Sequence, residues 1–551
     1  MNHCDYKQLL EDYFRKLGNI EENLIMFLDN QEENTNLFIQ YLNKQKISES
    51  KYELRSFFYL IVSTSNYYHR SADFFNKIEL IITIFQEQIQ NYFTSLEIFD
   101  IFQSSKRLLL FLFKSGILTP TEQIYKRIIN HTKYLEKKYL EYFYPEFEAY
   151  FDANIRKVVK EIRESNNDEF KQKRENGEND NYLFKLIRND QIVDFVRYLE
   201  QTNISPSSII QSSIYETNLL IINKYLSLIE YSAFCGSIQI FKYLYYRKAE
   251  LTTSIWPYAI HGKNAEIIHF LEEKKIETLC NSYQYLIIES IKCHNNEIIY
   301  YFLNNFCENE RIYNDYLYIK SCKYYNFGFL KDGIINLLNK SNIPYYLCKY
   351  DYNLVIELLC NANNFDINRE YTIFKPFHNQ SKDIVSYIAL KNGDLSHLFS
   401  EKEKEIERQF PIHFQSIQER KKFTQYEYDV ETSTILHIAI RRGNIGIIQF
   451  LLSMKSIELN KKSTKVYKKL NEMIRSSNHY FIITTKKSIL HESIENGNEE
   501  VVQSLLNNKN IDINEPVLKE KVCDDTVFYY EKKNSNSIIA SCHKKQEHEY
   551  Y

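Results

Sequence analysis

Glycine, proline, methionine and tryptophan are scarce in this sequence, at 11, 8, 4 and 1 residues in a chain of 551. So few breakers argue against a disordered chain and against an all-β fold that turns every ten residues or so. They suit helices joined by short polar turns. An excess charge of one sign is also missing. With 69 basic and 72 acidic residues the net charge is -3, and no overall field points at nucleic acid or an anionic membrane. The basic runs Lys171–Arg174 and Lys461–Lys469 are short and interrupted, as on solvated faces or loops.

Long apolar runs are absent. The greasiest stretch, Leu108–Phe113, is broken by Lys114, whereas a bilayer span needs about 20 apolar residues. The N-terminus leads into an amphipathic helix rather than a secretory apolar segment. The ten cysteines form no C-x-x-C pair; the nearest approach to a metal set, Cys293-His294 with Cys280 and Cys307, lacks zinc-ligand spacing. Scattered free thiols fit a reducing compartment. The expectation is a soluble protein of the cytoplasm or nucleus, with no metal and no cofactor.

What is abundant is aromatic: 46 Tyr and 36 Phe. A nucleotide bias favouring Ile, Asn, Lys, Tyr and Phe together accounts for this better than an aromatic binding surface. From residue 5 the apolar spacing is helical. Tyr6, Leu9, Leu10, Tyr13, Phe14 and Leu17 share one stripe, and Gly18-Asn19 reads as a C-cap and turn. Residues 1–163 read as a non-repeating helical domain. Residues 164–181 lose their large apolar side chains except Phe170 and read as a polar linker.

Beyond it a unit recurs. Thr434-Ile435-Leu436-His437-Ile438-Ala439 is followed by Gly443-Asn444 and by the apolar pairs Ile447-Ile448 and Leu451-Leu452. Ser488-Ile489-Leu490-His491-Glu492-Ser493, then Gly497-Asn498, Val501-Val502 and Leu505-Leu506, repeats it 54 residues later. The unit needs about 33 residues, so 461–487 reads as an inserted loop. The Thr or Ser caps a first helix and can bond the His. The small residue lets helices approach, and the Gly takes the left-handed position that ends the first helix. A helix pair of this kind cannot bury its apolar stripe alone, so copies must stack. The same template finds copies on Ser232 (with Gly236), Ala259, Ser290 and Leu347, with weaker ones on Ser321 and Ala389.

Thr434–Ala439 and Ser488–Ser493 resemble the T-P-L-H-x-A signature of ankyrin repeats, with Ile in place of Pro. The phrases around Ser227–Leu244, Trp256–Asn264 and Glu289–Asn295 resemble a divergent ankyrin-like family of unknown function abundant in trichomonad protists. The resemblance covers roughly residues 183–515. It implies an all-α fold: an ankyrin-type α-solenoid preceded by the helical N-terminal region, with divergent repeats over 182–410, ankyrin repeats over 411–515 and a polar tail over 516–551. It brings no catalytic residues.

Searches for chemistry agree. There is no phosphate-binding G-x-x-x-x-G-K-[ST], no G-x-S-x-G elbow, and no second His at metalloprotease spacing after His491-Glu492. The expected function is non-enzymatic binding of another protein on a concave surface, with Arg441, Arg442, Glu495, Asn496 and the loop residues Tyr426 and Tyr428 as contact residues. An adaptor, whose N-terminal domain recruits an effector such as a ubiquitin ligase or trafficking complex, is the alternative; an unrecognised enzyme is the remote one.

Overall fold

The computed structural model describes residues 3–30, 35–71, 73–131, 136–152, 156, 167–210, 213–222, 224–278, 283–306, 314–338, 341–362, 365–376, 428–470, 480–496, 499–508, 510–512, 515–523 and 526–534. These are mostly helical and form two compact units: residues 11–334, and residues 335–551 with 1–10.

In the first unit the repeats begin earlier than the template found them. Helix Tyr182–Arg188 pairs with Ile192–Thr202, Leu228–Cys235 with Ile238–Tyr246, Ile255–His261 with Ala265–Glu273, and Tyr283–Lys292 with Asn296–Phe306. Asn314–Tyr324 pairs with the short Phe327–Leu330 on the Ser321 copy. Successive first helices pack on one another in chain order. One backbone device sets the register. Asp190, Gly236, Lys263, His294 and Tyr325 all have positive φ, between 47° and 70°. Each ends a first helix in the left-handed conformation. The side chain just after this turn often ties the repeat to its predecessor: Ser237 Oγ donates to Ile187 O (2.5 Å), Asn264 Nδ2 to Gly236 O (2.8 Å) and Asn326 Nδ2 to Ile291 O (3.2 Å).

The N-terminal residues of this unit build their own aromatic core, in which Phe57, Phe58, Phe85, Phe99 and Phe102 are buried. Two expectations fail here. Helix His3–Asp29 runs through Gly18 without turning. A Cβ on Gly18 would lie 2.7 Å from Lys331 Cδ and 3.1 Å from Phe327 O, so this glycine permits a close approach rather than ending a helix. The supposed linker contains helix Asn167–Asn176. Phe170 and Arg174 are buried, and Arg174 bonds Glu146 (2.8 Å) and Tyr142 O (2.8 Å).

The second unit has helix pairs Ile343–Lys349 with Asn353–Cys360, Ile435–Arg442 with Ile445–Ser453, and Ile489–Asn496 with Glu499–Leu506. Asp351 and Gly443 repeat the left-handed turn, at φ 60° and 69°. Gly497 and the Ala389 copy lie outside the described residues.

The all-α expectation is corrected here. A two-residue ladder, β1 (Ile209–Ile210) with β2 (Leu226–Ser227), is a small detail of the first unit. In the second unit β3 (Tyr371–Pro376), β4 (Tyr428–Ser433), β5 (Lys462–Leu470), β6 (Tyr480–Ser488), β7 (Pro516–Cys523) and β8 (Thr526–Asn534) form an antiparallel six-stranded sheet in sequence order. The expected 461–487 loop is the hairpin β5–β6, and the expected polar tail contributes β7 and β8. Neighbouring hairpins pair as well: Val430 stands opposite Val466, and Thr485 opposite Lys519. That pairing gives the backbone groups of long insertions the partners they need.

Candidate functional site

The repeat residues of the second unit form a local framework. Thr434 precedes Ile435–Arg442 as its N-cap, but its hydroxyl makes no cap bond to the helix backbone. It lies 2.8 Å from His437 Nδ1, and Ser488 Oγ lies 2.7 Å from His491 Nδ1. Both imidazoles are fully buried. Burial, with Arg441 nearby, pushes His437 down to about 3; burial also lowers His491. Ala439 is buried, and the small hydroxyl residues turn inward on their own helices. Ser232 Oγ donates to Ile229 O (2.8 Å), Ser290 Oγ to Leu286 O (2.9 Å) and Ser493 Oγ to Leu490 O (2.8 Å). Ala259 is buried as well.

Between the ends of these first helices and one face of the sheet lies a polar cavity of about 350 Å³. Glu431, Ser463, Thr464, Lys465, Tyr467, Thr485 and Lys487 line it from the strands; Arg441, Glu492, Glu495 and Asn496 line it from the helices. Alternation along β4, β5 and β6 puts the odd-numbered strand residues on one side. At its floor Arg441 is held between Glu431 and Glu492, with Nε 2.9 Å from Glu492 Oε2, and it also bonds Ser433. Burial pulls this guanidinium down, but Glu492 and Glu431 hold it above its ordinary value. Burial raises the Glu492 carboxyl against the pull of Arg441.

The contact residues read from sequence therefore divide. Arg441 was expected to face a partner; it is instead committed to Glu431 and Glu492, because it sits where the helix end meets the sheet. Asn496 Nδ2 donates to Ile440 O (2.8 Å) and ties two repeats together. Arg442 stays about half exposed, 3.6 Å from Asp351, and Glu495 is half exposed in an ion pair with Lys487 (2.6 Å). Tyr428 begins β4 rather than lying in a loop, and Tyr426 is outside the described residues. The strand residues Lys465, Tyr467 and Thr485 were missed. Their signal was the β-branched and aromatic enrichment of Val466-Tyr467 and Ile482–Thr485.

A second polar cluster lies in the first unit. Ser63 Oγ, His294 Nε2 (3.1 Å), His294 Nδ1 and Glu21 Oε1 (2.8 Å) stand in the order nucleophile, base and orienting carboxylate. Ser63, however, donates its proton to Tyr324 O at 2.6 Å, and Glu21 Oε2 accepts from the Gly328 N–H at 2.8 Å. None of the three is more than 6% exposed. The arrangement is a clamp closed by hydrogen bonds, without access for a substrate. Among the described residues no group of His, Cys, Asp and Glu is arranged to hold a metal ion, and no helix is long and apolar enough to cross a membrane.

A family model described as ankyrin repeats (3 copies) matches residues 345–517, under a third of the chain. That span holds the three helix pairs of the second unit, so this part of the protein is similar to ankyrin repeats, which are in general protein–protein interaction modules. No curated protein and no solved structure matches the chain.

Proposed function

We propose that the chain is a non-enzymatic scaffold that binds another protein through residues 345–517, using the first-helix turns, the hairpin sheet and the polar cavity between them. The observation that carries this reading is the cavity itself. It opens where repeats of this kind meet their partners, and it presents Lys465, Tyr467, Thr485, Lys487 and Glu495 on a backbone fixed by two strands and a helix. Rigid framework with variable polar lining is how repeat arrays bind without catalysing. The upstream helix pairs are, on this reading, divergent copies of the same repeat. The buried free cysteines Cys293, Cys322, Cys348 and Cys360 suit a reducing compartment such as the cytoplasm. The adaptor alternative draws on Met26 and Leu37, which the N-terminal helices leave 60% and 59% exposed.

Proximity labelling in the native cell, followed by pull-down with the full chain and with Lys465→Glu/Glu495→Lys, tests the proposal. A partner captured by the parent chain and lost with the folded variant supports it. Partners that bind both alike place the contact elsewhere.

A further inference from the structure

One buried hydrophobic cluster serves most of the upstream repeats. Its buried members run from Leu183 to Phe329, and among the described residues Tyr67 alone comes from the N-terminal helices, packed against it and only partly buried. Those helices join the repeats at two places: the 213–222 segment, where Arg70 faces Glu216 and Lys106 donates to Ile214 O, and the row of turns, where the contacts are polar and aromatic. His261 Nδ1 lies 3.0 Å from Tyr67 O. Lys263 donates to Asp29 (2.7 Å) and to the Tyr68 hydroxyl. His294 meets Glu21 and Ser63, the Tyr325 ring stacks on Tyr59 at 4.7 Å, and Lys331 pairs with Glu22 at 2.5 Å. Lys263, His294 and Tyr325 hold the same place in successive repeats, the left-handed turn at φ 54°, 55° and 54°. Within this one compact unit, the N-terminal helices meet the row through side chains rather than by sharing the repeats' apolar cluster.

We infer that this row of turns is a ligand-binding surface, that residues 11–29 of the first helix and helix Lys51–Tyr67 occupy it in cis, and that the outside partner it fits is a helical segment carrying carboxylates at the spacing of Glu21, Glu22 and Asp29. Glu22 and Asp29 are seven residues apart and share one helical stripe, with Glu21 beside it. The row offers Lys263 to Asp29, His294 to Glu21 and Lys331 to Glu22, so charge and hydrogen-bond complements meet at three places along it. The parent chain shields this surface with its own helix, and an acidic helix from elsewhere gains it only by displacement. Proteins that bind residues 345–517 do not bear on this surface.

The test uses the full chain with Glu22→Lys/Asp29→Lys, which reverses two half-exposed charges on the docked helix and leaves the row intact. Hydrogen–deuterium exchange is expected to rise about tenfold in residues 11–29 and in the turns at 261–264 and 323–328, with the second helices Ile238–Tyr246 and Ala265–Glu273 unchanged. A fluorescein-labelled peptide of residues 11–29 is expected to bind this variant at least tenfold more tightly than the parent chain. Adding Lys263→Glu/Lys331→Glu closes the row again and abolishes peptide binding. Equal loss of protection in the second helices, unchanged exchange everywhere, or equal peptide binding to variant and parent overturns the inference. Should the double reversal not fold, Glu22→Gln/Asp29→Asn is read the same way; global unfolding of that milder variant makes the helices part of one core and also overturns it.

Discussion

His294 and Glu21, 273 positions apart, meet Nδ1 to Oε1 at 2.8 Å with neither side chain exposed. The contact fastens the first helix of the chain to a turn of the fourth helix pair. Removing one partner leaves the other buried with an oxygen or nitrogen short of a hydrogen bond. His294→Leu is expected to cost about 3 kcal/mol in urea denaturation of the full chain. Glu21→Leu/His294→Leu is expected to recover part of that loss, because the stranded carboxylate goes with it. Strictly additive losses would mean that the two side chains do not act together.

Gly262 is needed for a different reason. A Cβ there would lie 2.0 Å from Ala233 O and 3.0 Å from Gly236 N, so it would force adjacent repeats apart. Gly262→Ala should cost roughly 2–3 kcal/mol. Gly116→Ala is the contrast: its φ is 72°, but nothing lies within 4 Å of the added carbon. About 1 kcal/mol of left-handed strain is its whole expected cost. Equal shifts in denaturation midpoint would contradict the packing argument.

The two neighbouring arginines separate stability from binding. Arg441→Glu leaves Glu431 and Glu492 facing a third carboxylate, and an expected loss of about 2–4 kcal/mol follows. Arg442→Glu disturbs a half-exposed pair with Asp351 at 3.6 Å and should cost under about 1 kcal/mol. Thermal unfolding of the two variants gives the comparison. A harmless Arg441→Glu would show that the guanidinium is not fixed at the cavity floor.

Acid sensitivity follows from the buried imidazole of His437 and the partly buried one of His69. His437 is held down to about 3 by burial and Arg441, and His69 down to about 4 by burial and Lys263. An unfolded chain protonates histidine near 6.5, so below that pH it binds protons that the folded chain refuses. Stability is then complete above about pH 6.5 and falls as the pH drops toward 4. His437→Gln should flatten this slope by about one proton in that window. An unchanged slope would assign the acid loss to other groups.

The sequence shows the repeat because its markers are local. Gly236 and Gly443, and the polar Lys263-Asn264 and His294-Asn295, occupy turns whose backbone demands them within one helix pair. The strands left only a faint signal, at Val466-Tyr467 and Ile482–Thr485, for the opposite reason. Lys462–Leu470 is mostly Lys, Ser and Thr, and its pairing with β4 and β6 depends on segments up to dozens of residues away. Tertiary pairing, not propensity, makes it a strand. The linker misreading is similar: Asn167–Asn176 has one large apolar residue, yet it docks through the buried Arg174 ion pair with Glu146. Of the candidate site, the helix-end residues Arg441, Glu495 and Asn496 were visible, whereas the opposing wall at Lys465, Tyr467 and Thr485 required the sheet.

The most direct test of the binding account is a hydrogen–deuterium exchange footprint of the full chain with and without the captured partner. Protection is expected in 428–433, 462–467 and 483–496, the strands and helix ends around the cavity. Protection confined to residues outside 345–517, or none at all, would contradict it.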